Sequence, residues 1–115
     1  MSEHIVKAFT EQLESLANTV AQMGGLAEAQ FANAIEAIAK RDGKLAEAAI
    51  GSDERVDRCQ QTIEEQALKL LALRQPMAVD LRATLAAIKI ANELERIGEL
   101  AKNIGKRALG LNREP

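Results

Sequence analysis

Tryptophan and tyrosine are absent from this chain of 115 residues, and only two are phenylalanine. With few β-branched runs as well, the material for sheets and for base-stacking platforms is scarce, so the chain is expected to be nearly all helix. Cysteine occurs once, at Cys59. That excludes an internal disulfide and suits a reducing cytoplasm. Histidine also occurs once, at His4, so the Glu-x-x-His pairs of carboxylate-bridged di-iron bundles cannot be assembled. His4 reads as a solvated terminal residue, and Cys59, on an apolar stripe, as a small buried hydrophobe rather than a nucleophile. Apolar runs such as Leu70 to Leu73 fall far short of the ~20 residues of a membrane span. No secretory apolar segment opens the chain, and direct membrane insertion is not expected. Neither charge sign is concentrated, with 15 basic against 17 acidic residues. Residues 74–115 carry 8 Lys/Arg against 5 Asp/Glu and residues 1–73 carry 7 against 12, with no continuous basic stripe. Nucleic acid is therefore not expected as a primary partner, nor is an anionic bilayer.

What is present is helical periodicity. Phe9, Leu13, Leu16, Val20, Met23, Ala27, Phe31, Ala34 and Ile38 step by three or four, which predicts one amphipathic helix over about 3–41. Gly24-Gly25 lies within that phase and follows no strand, so it is not a phosphate cradle. Asp42-Gly43 signals a turn and N-cap. A second helix is expected over about 44–74, with Leu45, Ala49, Val56, Cys59, Ile63, Ala67 and Leu70 inward and a possible interruption at Gly51-Ser52. Gln75-Pro76 stops it. A third helix is expected over about 77–109 on the stripe Ala83, Ala87, Ile90, Leu94, Ile97, Ala101, Ile104 and Ala108, ending at Gly110. Three long helices joined by tight turns give an all-α, antiparallel up-down-up three-helix bundle over residues 1–110, with 111–115 as a polar tail or cut-short linker.

Helix three carries a second stripe: Leu81, Leu85 and Ile88, then Asn92, Glu95, Glu99 and Asn103. Helix two carries Asp53, Asp57, Gln60 and Glu64 on the flank of its apolar face. Counted from Pro76, Asp57 and Glu95 are equidistant, as are Asp53 and Glu99, so antiparallel helices bring the four carboxylates level. Four like charges on a partly apolar surface raise one another's pKa unless cations compensate. The donors are all oxygens, which suits magnesium, manganese, calcium or iron, with zinc only outside a Cys/His site. A solvated acidic face, neutralised by ion pairs to Arg96 and Lys102, is the alternative reading.

Two segments then carry a resemblance: Arg74-Gln75-Pro76-Met77-Ala78-Val79-Asp80-Leu81-Arg82, and Glu93-Leu94-Glu95-Arg96-Ile97-Gly98-Glu99-Leu100-Ala101-Lys102-Asn103-Ile104. Together with Met23-Gly24-Gly25 and Asp53 to Asp57, they resemble the PhoU family of phosphate-signalling proteins over essentially the whole chain. The resemblance implies a three-helix repeat, normally present twice, with acid-x-x-x-Asp motifs that bind metal clusters. Asp53 and Asp57 match one motif. Glu95 matches the first position of the other, where Glu99 stands in place of the usual Asp. It further implies no enzymatic activity. The implied role is a negative regulator of phosphate uptake that links the ATPase subunit of a phosphate ABC transporter to a sensor histidine kinase. The chain is expected to hold a single repeat, and a second copy is expected to cover Leu81, Leu85 and Ile88 in a homodimer. A purely structural helical interaction bundle without metal is the competing expectation.

Overall fold

In a computed structural model, residues 3–73 and 78–113 are described, apart from the side chains of residues 5, 78 and 79. The Pro76 turn and residues 114–115 lie outside them. Four helical segments follow in order: α1 (Glu3–Lys40), α2 (Gly43–Gly51), α3 (Asp53–Ala72) and α4 (Ala78–Asn112). There is no strand among the described residues. They form a rod of 67 × 17 × 16 Å, and no described helix is long and apolar enough to cross a membrane.

Three layers of buried side chains order the helices. Ala37 of α1, Ala46 of α2 and Ala108 of α4 make one end layer. Ala34, Ala49 and Ala101 make the next. Larger residues fill the rest, with Leu16, Met23, Val56, Ile63 and Leu70 beside Ala87 and Ala91. Position along α2–α3 therefore falls as position along α1 and α4 rises, so the middle rod runs against the other two.

The α1–α2 connection is two residues long. Arg41 takes a positive φ of 53°, letting its N–H bond Ile38 O at 3.4 Å and Asp42 N–H bond Ala37 O at 3.0 Å, which satisfies the last carbonyls of α1. Left-handed backbone costs a non-glycine residue about 1–2 kcal/mol. Tertiary bonds hold it there: Arg41 Nη2 donates to Leu111 O at 3.0 Å and Asn112 Nδ2 donates to Arg41 O at 3.2 Å. Asp42 then caps α2, accepting from Lys44 N at 2.9 Å and Leu45 N at 3.2 Å.

Helix two is split at Ser52, where Gly51-Ser52 signalled an interruption, while two expectations change on α4: it continues through Gly110 to Asn112, into the segment expected to be a polar tail, and its inward stripe shifts. The inward stripe of α4 keeps Ala87, Leu94, Ala101, Ile104 and Ala108 but takes Thr84, Ala91 and Gly98 in place of Ala83, Ile90 and Ile97, with Gly105 buried beside Ile104. Ile90 and Ile97 are exposed. Close approach is the physical reason. A Cβ on Gly105 would lie 3.0 Å from Ala46 O and 3.1 Å from Ile50 Cγ1, so the seam accepts only small residues and turns the isoleucines outward.

Candidate metal centre

The split at Ser52 builds one side of the site. Ser52 Oγ donates to Ala48 O at 2.7 Å, and the neighbouring Ala49 O receives Gln30 Nε2 from α1 at 2.8 Å. Ala49 O is the carbonyl an unbroken helix would give to residue 53. Gln30 is buried, with 1% of its surface exposed, and it pins the point where α3 begins. Asp53 thus enters α3 at its first residue, with Glu54 beside it, where the helix dipole favours negative charge. Asp53 is buried. Its counter-ion is Lys102, whose Nζ lies 3.4 Å from Asp53 Oδ2. The carboxylate holds the Lys102 ammonium above its ordinary range, through the contact with Asp53 first and then the fields of Asp53 and Glu99.

One turn along, Asp57 faces Glu95 of α4. The Glu95 carboxyl rises from 4.5 to about 7, first through burial, then through a hydrogen bond with Asp57, then through the fields of Asp57, Asp53 and Glu99. Two carboxyls hydrogen-bond only when one carries the proton. Without it, Asp57 Oδ1 and Glu95 Oε2 are closed off from solvent and have no donor. Above them Gln60 Nε2 donates to Asn92 Oδ1 at 2.9 Å, bridging α3 and α4.

Asp53, Asp57, Glu95 and Glu99 therefore share one electrostatic neighbourhood. The arrangement is uneven: Asp57 and Glu95 meet directly, Asp53 turns to Lys102, and Glu99 and Asn103 are exposed. Asn103 makes no hydrogen bond to the acids among the described residues. No group of three or more His, Cys, Asp or Glu among them is closed into a metal-binding set. Arg96 pairs with Glu93 at 3.6 Å rather than with the site acids. Two shielded oxygens there lack donors, and every candidate ligand is oxygen, the donor type hard cations take.

Gln30 escaped sequence reasoning, since a lone glutamine on an apolar stripe carries no motif. Its Oε1 is buried without a partner and, with Asp53 Oδ1 and Val56 Cγ1, surrounds the place a Cβ on Gly98 would occupy, at 3.1, 3.6 and 3.3 Å. The Gly98 of the Glu-Arg-Ile-Gly-Glu segment thus lets α4 lie against the α2–α3 break.

Comparison with known proteins matches residues 20–108 to the PhoU domain. A phosphate-specific transport system accessory protein PhoU homolog of Caulobacter vibrioides is 58% identical over 109 residues, 95% of this chain and 47% of that protein. One of Xylella fastidiosa is 40% identical over 114 residues, covering 99% and 47%. The phosphate-specific transport system accessory protein PhoU of Serratia marcescens is 41% identical over 109 residues, covering 95% and 45%. The chain spans about half the length of the curated relatives it matches. A helical repeat whose glycines, acids and turn segment fall inside a match this broad leaves one assignment: the chain belongs to the PhoU domain family.

Proposed function

We propose that the chain is a metal-binding regulatory adaptor of phosphate homeostasis. The observation that carries this reading is the pair of shielded, donorless oxygens where Asp57 meets Glu95, flanked by Asp53 and Glu99. Asp53, Asp57, Glu95 and Glu99, with the Asn103 carbonyl, would hold a divalent or trivalent ion through oxygen: magnesium, manganese, iron or zinc. The ion supplies compensating positive charge. With the ion bound, the Glu95 carboxyl would give up its proton, and Asp53 would leave Lys102 to join the set. Farther along α4, Leu81 and Leu85 are exposed, at 37% and 52%, and Ile88 is half-buried; with the exposed Leu68 of α3 they form the surface that a second copy of the chain covers in a homodimer. The adaptor works in the cytoplasm without catalysis. It restrains phosphate uptake by linking the ATPase subunit of a phosphate ABC transporter to a sensor histidine kinase; the relatives' names support the transport half of that statement.

A structural bundle without metal is the second reading, favoured by the Lys102–Asp53 pair, which already neutralises one acid. A pull-down from phosphate-replete cells with the chain and with its Asp53→Asn, Asp57→Asn, Glu95→Gln, Glu99→Gln variant tests the two. Recovery of transporter ATPase and kinase by the parent chain alone supports the adaptor. Equal recovery by both supports the structural bundle, and recovery by neither refutes the partner assignment.

A further inference from the structure

The two flanks of α3 carry opposite charge. At ~100° per residue, Arg55 and Arg58 lie roughly 150° around the helix from Asp53 and Asp57, facing the groove with α1 instead of α4. That groove widens to a cleft of about 270 Å³ between the two helices. Arg55 and Arg58 line it from α3 and Gln22 from α1, over a floor of Cys59 and Leu26. No carboxylate lines it. Both guanidinium groups are exposed, and among the described residues neither makes an ion pair or a side-chain hydrogen bond. Two planar, permanently charged forks one helical turn apart, with a carboxamide N–H across the cleft, form a donor set suited to a tetrahedral oxyanion.

The two remaining polar lining groups sharpen the choice of anion. Thr19 Oγ1 donates to Ser15 O and Thr62 Oγ1 donates to Arg58 O, each at 3.0 Å. Their hydroxyl protons are thereby turned back into the helices, and the oxygens present lone pairs to the cleft. Donors on the arginines with acceptors on the threonines complement an oxyanion that keeps a proton of its own. Free phosphate retains a P–OH at neutral pH. Sulfate has none, and a phosphomonoester loses its last one near pH 6.

We propose that the α1–α3 cleft binds free hydrogen phosphate, with Arg55 and Arg58 clamping its charged oxygens and one threonine oxygen, of Thr19 or Thr62, accepting from its single P–OH. The site is separate from the acidic face of α3, and its occupancy does not depend on metal. An open cleft with two charge-assisted contacts supports a Kd on the order of 1 mM.

The test is a titration of the 115-residue chain with inorganic phosphate at pH 7.5, followed by amide and arginine Nε–H NMR shifts at constant ionic strength set with sodium chloride. Saturable shifts at Gln22, Cys59, Thr62 and both arginine side chains are expected. Binding is expected to weaken at least tenfold in Arg55→Gln/Arg58→Gln, whose exposed positions leave the fold intact by circular dichroism. Sulfate and O-phosphoserine are expected to bind several-fold more weakly than phosphate. Non-saturating shifts, or shifts unchanged in the double variant, would overturn the site. Sulfate matching phosphate, or O-phosphoserine exceeding it, would overturn the assignment to free hydrogen phosphate.

Discussion

Glu95→Gln isolates the electrostatics of the acidic face in the metal-free chain. The folded Glu95 carboxyl binds its proton more tightly than the unfolded one, rising from 4.5 to about 7. Its contribution to stability is therefore complete below 4.5 and is lost as pH rises through about 7. Were the group fully dehydrated, the change would be worth roughly 3 kcal/mol. Glu95 is only half-buried, and solvent screening reduces the figure to about 1 kcal/mol. Glutamine keeps the shape and can donate to Asp57 without titrating, so the variant loses this part of the pH dependence and is the more stable protein at pH 8. Urea denaturation of both proteins in EDTA at intervals from pH 5 to pH 8 measures the difference directly. A difference of about 1 kcal/mol corresponds to about 4 °C in Tm. Parallel stability curves across that window would refute the argument that Asp57 and Glu95 confront each other.

Other perturbations separate packing from propensity. Gly24 and Gly25 have open space where an alanine methyl would sit, with no atom within 4 Å, so each glycine-to-alanine change is expected to stabilise by about 0.5–1 kcal/mol. Gly105→Ala instead drives a methyl against the Ala46 backbone carbonyl at 3.0 Å and is expected to destabilise by about 1–3 kcal/mol; thermal denaturation of both resolves the sign. Gln30→Leu strips Ala49 O of its buried donor while also removing an unpartnered oxygen, for a net loss of about 1 kcal/mol and faster hydrogen exchange around residues 52–54. Leu68→Glu with Leu85→Glu places charge on the exposed apolar patch and is expected to convert a dimer to a monomer by light scattering. A parent chain already monomeric at the same concentration contradicts the homodimer.

The helical architecture was legible because long amphipathic stripes leave little choice of element. Leu16, Met23, Ala27 and Ala34 of α1 and the run Val56, Cys59, Ile63, Ala67 and Leu70 of α3 are buried as their spacing predicts. The pattern misled on α4, where hydrophobicity weighs Ile90 and Ile97 above Ala91 and Gly98 but the spacing between helices admits only the small side chains. Counting outward from Pro76 brought Asp57 and Glu95 together without knowledge of side-chain positions. Of the two cations expected to neutralise the face, Lys102 does so by drawing Asp53 toward itself, because a buried carboxylate needs a counter-charge, while Arg96 turns to Glu93. Gln30 was silent for another reason. Its role depends on a carbonyl freed by the break at Ser52, which is a tertiary relation. Arg55 and Arg58 sit among acids in the sequence and separate from them only when the helix is wound.

The most direct test of the acidic face is a calorimetric titration of the EDTA-stripped chain with manganese at pH 7, repeated in buffers of different ionisation enthalpy to count protons. The account predicts saturable binding with release of a substantial fraction of a proton per ion, affinity that strengthens from pH 6 to pH 8, and loss of both in Asp57→Asn/Glu95→Gln. Binding that releases no proton, or that persists unchanged in that double variant, contradicts it.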